Sequence, residues 1–162
     1  MNQKALHNFA YGLYVLTARE GNKDNGCLVN SAFQAAAEPP QIGVSVLKPC
    51  CTHGMIYRTG IFNISVLGSR TPMGLINWFG SQTGLYVDKF ENFAFRERAA
   101  NGVYYIRDFS NAYISARVNR AIDLGTHTLF IGKVTDMVVL HDAPSAKFQF
   151  SEENGVHTRP YR

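Results

Sequence analysis

The fold is decided by residues 24–53, which read DNGCLVNSAFQAAAEPPQIGVSVLKPCCTH. This stretch predicts a strand, a loop, a second strand and the start of a helix. Asn25-Gly26 is the pair that a tight hairpin turn prefers, because both central residues of such a turn take a positive φ. We therefore expect a turn there and a strand that begins near Cys27. In the second strand, residues 41–48 alternate apolar with small side chains, which is typical of a half-buried strand.

The end of the same stretch predicts an anion-binding site. Thr52 is placed as the N-cap of a helical run from His53 to Arg58, which Gly60 closes. The first turn of a helix has free N–H groups that bind anions, and Lys48 lies just before it. These features indicate a phosphate site. Ordinary helix capping and core packing are the alternative explanation for the same residues.

Further strands and helices follow along the chain. Thr71-Pro72 is a strong helix start, because proline fits the first helical position. The sequence predicts about six or seven strands, with helices that interrupt them irregularly. This pattern favours a mainly β fold over a doubly wound parallel sheet. We expect an antiparallel split barrel with a few short helices. The expected strands are Tyr11–Ala18, Ile61–Leu67, Val103–Ile106, Ala112–Leu124 and Thr128–Leu140. The chain is expected to turn at Gly21-Asn22 after the first of them. In Ile61–Leu67, we expect Phe62, Ile64 and Val66 to point inward and Asn63 and Ser65 to point outward.

The bulk properties fit one domain. The chain has 162 residues and 46% hydrophobic residues, which suits a single core over residues 1–150 followed by a polar C-terminal tail, 151–162. The net charge is +4, but the basic residues are scattered and form no cluster of the kind that binds nucleic acid. We therefore expect no nucleic-acid partner and a mild attraction for anionic ligands.

The cysteines and the apolar runs bear on location. Cys27, Cys50 and Cys51 are odd in number and lack the paired spacing of a zinc site, so neither a disulfide framework nor a metal centre is expected. No apolar run reaches the length of a membrane span, and the first residues have no signal-peptide core. A cytoplasmic protein without a membrane segment is the expectation.

Several motifs, taken in order, resemble the flavin reductase-like family of FMN-binding split barrels, in particular the flavin reductase modules fused to rubredoxin and the flavoredoxin-type electron carriers. The resemblance covers roughly residues 5–140. It is carried by NGCLVNS at 25–31 with Gln34 and EPP at 38–40, VSVLK at 44–48, Thr52-His53, TPMGLI at 71–76, FGSQTG at 79–84, VDKF at 87–90 and GTHTLFIG at 125–132.

The resemblance implies a cofactor site. FMN is the expected cofactor, with FAD or riboflavin as alternatives, and NADH or NADPH is the expected electron donor. The residues implied to line the flavin ring are Gly26, Cys27, Leu28, Val29, Asn30 and Ser31; those implied around the ribityl phosphate are Ser45, Lys48, Cys51, Thr52 and His53, with Ser81, Gln82 and Lys89 closing the site from the other side.

Some of these residues also have simpler explanations. His127 matches the histidine of the family's Gly-Asp/Thr-His motif, which implies a catalytic place near the flavin and the nicotinamide; a structural histidine at a turn is the alternative. Ser81 and Gln82 also fit a solvated turn. Cys27 is either a redox thiol or a small buried apolar residue.

The activity implied is hydride transfer from NAD(P)H to flavin, with electrons passed on to a second flavin, to oxygen or to an iron protein. A homodimer is implied, with the aromatic 86–95 segment suited to its interface, and a rubredoxin-like protein or a monooxygenase as acceptor. Two alternatives stay open. Leu85-Tyr86 replace a basic residue and an acid of the relatives, which suits a flavoredoxin-type carrier without NAD(P)H turnover; the other is a split barrel that binds haem or another planar ligand.

Overall fold

The structure is a computed structural model that describes residues 1–148. The expected tail, 151–162, and the end of the expected domain at residue 150 lie outside the described residues. None of the helices in residues 1–148 is long and apolar enough to cross a membrane.

Strands dominate the described chain. The helices are a 3₁₀ helix Gln3–Asn8, α1 (Cys51–Thr59) and α2 (Met73–Ser81). The strands are β1 (Tyr11–Gly12), β2 (Tyr14–Glu20), β3 (Lys23–Val29), β4 (Ala32–Ala37), β5 (Pro40–Leu47), β6 (Ile61–Leu67), β7 (Arg96–Arg98), β8 (Tyr104–Ile106), β9 (Ser110–Asp123), β10 (His127–Val139) and β11 (Lys147–Phe148).

Seven strands form one antiparallel sheet in the order β3-β2-β6-β9-β10-β5-β4. Apolar side chains from β2, β3, β5, β6, β9 and β10 meet in a single cluster, the barrel core, together with Met55 and Ile56 of α1. Because strands from both ends of the sheet contribute to one interior, the sheet curls into a barrel that α1 closes at one end. The mainly β antiparallel fold class is therefore confirmed.

The hairpin turn before the site lies earlier than expected. β2 and β3 pair from Tyr14 opposite Val29 to Glu20 opposite Lys23, so the turn is at Gly21-Asn22, where Gly21 has φ 58°. The expected turn at Asn25-Gly26 is wrong, because both residues lie inside β3. The register that places apolar side chains of both strands in the barrel core outweighs the local turn preference.

The outer face of β6 is also buried, contrary to expectation. Asn63 donates from Nδ2 to the carbonyl of Val103 at 3.0 Å, and Ser65 Oγ accepts from the N–H of Ile106 at 3.0 Å. Both side chains are fully buried. Their hydrogen bonds offset the cost of burying polar groups, since β8 and the residue before it cover this face.

A second apolar cluster, the outer core, packs against the outside of β2 and β3. It contains Leu28, Phe79 of α2 and Phe90 of the 86–95 segment. The ring of Phe79 lies 5.6 Å from that of Phe90 and 5.4 Å from that of Phe93. Within the aromatic segment, Phe90 is therefore buried in this cluster and Phe93 packs against it, whereas Tyr86 and Phe95 are exposed.

Both helices start differently from expectation. α1 has Cys50 as its N-cap, so Thr52 lies inside the first turn and is not the cap. α2 has Pro72 as its N-cap, and the hydroxyl of Thr71 donates to the carbonyl of Gly68 at 2.7 Å. The expected end of α1 is confirmed, because Gly60 takes the left-handed C-cap conformation with φ 68°.

Candidate functional site

The end of the barrel beside α1 brings several polar residues together. The N–H of Ser45 donates to the carbonyl of Ser31 at 3.0 Å, which joins the start of β4 to β5. Two residues further along β5, Leu47 lies opposite His127 of β10. Ser31, Ser45, Lys48 and His127 thus belong to neighbouring positions on this side of the barrel.

Lys48 provides a positive charge at the surface of this region. Its Nζ lies 2.7 Å from Oδ1 of Asp123, and both side chains are substantially exposed. The ammonium of Lys48 holds the pKa of Asp123 below its usual range. Since an exposed ion pair is held weakly, Lys48 can exchange this partner for another anion.

The start of α1 faces the same region. No side chain makes a capping hydrogen bond at Cys50, and the first turn carries no acidic residue. The N–H groups of this turn and the helix dipole therefore favour a negative group here. Cys51, the first residue of α1, is half-buried.

Thr52 and Asn25 connect α1 to β3 in the interior. Thr52 is fully buried, and its Oγ1 accepts a hydrogen bond from Nδ2 of Asn25 at 3.0 Å. Oδ1 of Asn25 is buried and has no partner among residues 1–148. A buried polar atom without a partner is uncommon in proteins and marks a place where a bound group fits. Asn25 was not among the predicted site residues, because the sequence assigned it to a turn. The feature that indicates its role is a polar side chain within a run of small and apolar residues.

Two histidines line this end of the barrel. His53 Nε2 lies 2.8 Å from Oγ1 of Thr128, and His127 Nδ1 lies 2.8 Å from Oγ1 of Thr126. Burial lowers the pKa of His53, and the charge of Lys48 lowers it further; burial alone lowers the pKa of His127. Both imidazoles are therefore neutral at neutral pH and can each donate one hydrogen bond.

Lys89 lies in the interior and not at the surface. Its side chain is 1% exposed, and Nζ donates to the carbonyl of Gly26 at 2.7 Å and to that of Phe79 at 3.4 Å. In this position Lys89 fixes the backbone of β3 against α2. Burial lowers the pKa of its ammonium.

Ser81 and Gln82 lie at the end of α2, which borders β3. Ser81 is exposed, and its Oγ donates to the carbonyl of Asn77 at 2.6 Å; Gln82 is the half-buried C-cap. The segment that follows runs close to β3, since a Cβ on Gly84 would lie 2.3 Å from Oδ1 of Asn25. Only glycine permits this approach.

The β3 residues themselves offer backbone more than side chains. Cys27 and Val29 point into the barrel core, whereas Leu28 points into the outer core. β3 is an edge strand of the sheet, so one side of its backbone is not paired with another strand of the described chain. Asn30 is buried, and its Oδ1 accepts from the hydroxyl of Ser31 at 2.9 Å.

A cavity of about 450 Å³ lies elsewhere in the barrel wall. Its lining is mostly apolar and contains none of the residues predicted to bind the cofactor. The polar and charged groups described above are therefore separate from this cavity.

The edge of β3 and the start of α1 have the donors that a flavin nucleotide requires. A flavin needs backbone groups at its pyrimidine edge and donors at its phosphate. The backbone at Ser31, which is half-buried where β3 ends, supplies the former, and Lys48 with the first turn of α1 supplies the latter. The orphaned Asn25 Oδ1 lies beside this strand, so the residues fit the group.

Comparisons with known proteins agree with this assignment. The flavin reductase like domain matches residues 6–154. The chain is 42% identical to the high molecular weight rubredoxin of Moorella thermoacetica over 86% of this chain, and it spans 61% of that protein's length. It is 35% identical to the ferric-chelate reductase (NAD(P)H) of Archaeoglobus fulgidus, over 88% of this chain and 84% of that protein.

A solved structure has the same architecture. The crystal structure of the FMN-binding protein from Thermus thermophilus with bound 1-cyclohex-2-enone superposes with a TM-score of 0.75 at 26% identity, over 82% of this chain and 72% of that one. The shared fold, the two relatives and the match of the flavin reductase like domain over residues 6–154 all indicate the same family. The chain belongs to the flavin reductase like domain family.

Proposed function

We propose that the chain is an NAD(P)H-dependent flavin reductase that binds FMN between the end of β3 and the start of α1. The observation that carries this proposal is the convergence of Ser31, Ser45 and Lys48 with an uncapped helix start beside an unpaired strand edge. The match to the family supports the same assignment.

Different residues bind the flavin ring and the phosphate in this proposal. The backbone of Gly26 to Ser31 holds the edge of the flavin ring, and Lys89 keeps this strand in place through the carbonyl of Gly26. Lys48 and the N–H groups of Cys51 and Thr52 hold the phosphate. When bound, the flavin supplies the two-electron chemistry. No acid–base pair is required of the protein beyond a donor at the reacting face.

Anaerobic stopped-flow spectroscopy tests the activity. FMN-loaded protein is mixed with NADH and, separately, with NADPH, and the flavin absorbance is followed. We expect fast bleaching with at least one donor, and the faster donor identifies the physiological one. Bound flavin that stays oxidised with both would contradict a reductase.

His127 is proposed to donate a hydrogen bond to the flavin or to the nicotinamide. We expect His127→Asn to lower kcat/KM for NAD(P)H about fivefold, because one hydrogen bond contributes roughly 1 kcal/mol. The Kd for FMN should change much less. His141→Asn, at an exposed position away from this end of β10, is the matched control. Equal losses in the two variants would exclude a specific role for His127.

A flavoredoxin-type electron carrier is the second candidate. Leu85 and Tyr86, at which the family resemblance implies a basic residue and an acid, are 65% and 87% exposed. Apolar side chains at this place bind a phosphate-rich donor poorly. Bound FMN that is reduced by dithionite but by neither nicotinamide would establish the carrier. A haem-like absorption spectrum of the isolated protein would instead support the third reading, a barrel for another planar ligand.

A homodimer is proposed through the exposed apolar residues of β9 and β10, a different surface from the 86–95 segment that the sequence suggested. Ile122, Met137 and Val139 are 43%, 61% and 77% exposed. Such side chains are typical of an interface. We expect analytical ultracentrifugation to give twice the monomer mass, and a monomer at micromolar concentration would contradict this.

The electron acceptor is proposed from a relative's name, and the cellular location is proposed from the cysteines. The Moorella relative is named as a rubredoxin, so a rubredoxin-like protein or a flavin-dependent monooxygenase is the proposed acceptor. A cytoplasmic location is supported by the three cysteines, all of which are thiols.

A further inference from the structure

Two cations lie directly opposite each other on the outer face of the barrel. Arg117 of β9 pairs in register with Lys133 of β10, and both side chains are exposed. Gly132, the neighbour of Lys133, faces the barrel core, since a Cβ on it would lie 2.9 Å from Cβ of Ala116. Because successive side chains of a strand point to opposite faces, Lys133 and Arg117 point outward.

A β-bulge adds a third cation to this face. β9 has one extra residue, Asn119, without an opposite residue on β10, and Arg120 lies opposite Ile131. In a regular strand residues three apart point to opposite faces, but the extra residue returns Arg120 to the face of Arg117. Asn119 is fixed in place, because its Nδ2 donates to Oε1 of Gln41 of β5 at 3.0 Å.

These three residues, the cationic trio, form no ion pair within residues 1–148. None of the ion pairs found there includes Arg117, Arg120 or Lys133, and all three side chains are exposed. Like charges at opposed strand positions destabilise a sheet. An anion bound among the trio removes this repulsion, so the arrangement favours a group that carries more than one negative charge.

An exposed aromatic ring lies on the same face. Gly43 of β5 is opposite Phe33 of β4 on one side and Ile131 of β10 on the other. Arg120 follows in the same row, opposite Ile131. The ring of Phe33 covers Gly43, because a Cβ there would lie 2.5 Å from Cζ of the ring. Phe33 is still 51% exposed, so the other side of its ring can stack on a nucleobase.

This row is continuous with the proposed flavin site. On β5, Ser45 lies two residues from Gly43, and on β10, Lys133 lies six residues from His127. Six residues of an extended strand span about 20 Å. The outer face therefore leads from the residues proposed to bind flavin and nicotinamide to the cationic trio.

We propose that the outer face of β4, β5, β10 and β9 binds the adenosine end of the electron donor, with adenine on Phe33 and the ribose 2′-phosphate on the cationic trio. This inference rests on the proposed reductase function, and it makes NADPH the preferred donor. A phosphate monoester carries nearly two negative charges at neutral pH and has three oxygens that accept hydrogen bonds. Arginine binds such a group through paired N–H donors, and lysine binds it as a point charge.

NADH differs from NADPH by the absence of the 2′-phosphate. When NADH is bound, the three cations stay unpaired, so their repulsion is not relieved. Adenine stacking is the same for both nucleotides, because Phe33 contacts only the base. The trio therefore sets the choice between the donors, and Phe33 contributes to the binding of both.

Binding of adenosine phosphates to the FMN-loaded chain tests the inference without electron transfer. Adenosine 2′,5′-bisphosphate and adenosine 5′-phosphate differ only in the 2′-phosphate. We expect isothermal titration calorimetry at low salt to give a Kd about tenfold lower for the bisphosphate. The difference should shrink as salt screens the charges. Equal Kd values, or no binding of either probe because a partner subunit covers this face, would overturn the proposal.

Matched variants separate the trio from general electrostatic attraction. Lys133→Met should raise the Kd for the bisphosphate about tenfold and leave that for adenosine 5′-phosphate unchanged. Lys23→Met removes an exposed charge at the turn between β2 and β3 and should change neither. Phe33→Leu should weaken the binding of both probes by the same factor. An affinity for the bisphosphate that falls equally in Lys133→Met and Lys23→Met would show non-specific attraction and would overturn the proposal.

Kinetics distinguish failure of this inference from failure of the proposed function. In the reductase assay, Lys133→Met should lower kcat/KM about tenfold for NADPH and leave that for NADH unchanged. A parent chain whose flavin is bleached equally fast by both donors would keep the reductase and overturn the donor preference. A chain that binds the bisphosphate selectively, but whose flavin neither donor reduces, would keep the adenosine site and contradict the reductase.

Discussion

Replacing Phe79 by alanine is expected to lower the free energy of unfolding by about 3–5 kcal/mol, the usual cost of removing a fully buried aromatic ring. Phe79 is 0% exposed and contacts the rings of Phe90 and Phe93. It also supports β3, since a Cβ on Gly26 would lie 3.1 Å from its ring. Equilibrium unfolding in urea measures the change.

The outer core offers a matched control for this change. Phe95 also makes edge-to-face contacts with neighbouring rings but is 39% exposed, so Phe95→Ala should cost much less. Phe79→Leu keeps most of the apolar volume and should be intermediate. If Phe79→Ala cost no more than Phe95→Ala, α2 would not be packed on β3 as the structure shows.

Replacing Lys48 by methionine is expected to raise the Kd for FMN about 10- to 100-fold, because a charge-assisted hydrogen bond contributes roughly 1.5–3 kcal/mol. Lys48 is the exposed cation beside the start of α1. Methionine keeps most of the length of the aliphatic chain and removes the ammonium group with its charge and hydrogen-bond donors. Quenching of flavin fluorescence on binding measures the Kd.

Two comparisons separate a phosphate contact from a general loss of binding. Riboflavin has no phosphate, so its Kd should be the same for the parent chain and Lys48→Met. Lys133→Met removes an exposed charge from β10 far from His127 and should leave both affinities unchanged. An equal loss for FMN and riboflavin would show that Lys48 does not hold the phosphate.

Replacing Asp123, the ion-pair partner of Lys48, is expected to change the affinity for FMN in the opposite direction. Asp123 lies 2.7 Å from Lys48 and competes with the phosphate for it. Asp123→Asn should therefore tighten FMN binding about two- to fivefold at low salt, and the gain should fade as salt screens the charges. Weaker binding of FMN in this variant would indicate that Asp123 positions Lys48.

The patterns that repeat along a strand were readable from the sequence. The alternation of Ile42, Val44 and Val46 with small residues predicted β5, and all three are buried in the barrel core. The helix end at Gly60 was readable for a similar reason, because it depends on one residue's backbone freedom. Both features are local, so neighbours in the sequence decide them.

Strand register and contacts between elements were decided only by the tertiary structure. Asn25-Gly26 satisfies a local turn rule, yet pairing of β2 with β3 places it inside a strand. Asn63 and Ser65 read as a solvent face, yet β8 covers them and supplies their hydrogen bonds. In each case the energy of burying a whole face exceeds a preference worth about 1 kcal/mol for a single residue.

Some features of the candidate site were likewise predicted from the sequence, and others are seen only in the structure. The sequence itself placed Lys48 beside a helix start, because the two are close along the chain, and the family resemblance implied Ser31 and Ser45. It did not show that Lys89 is buried against Gly26 or that Asn25 donates a hydrogen bond to Thr52. These contacts join residues far apart in sequence, and they exist only because the sheet closes on α1 and brings β3 to its first turn.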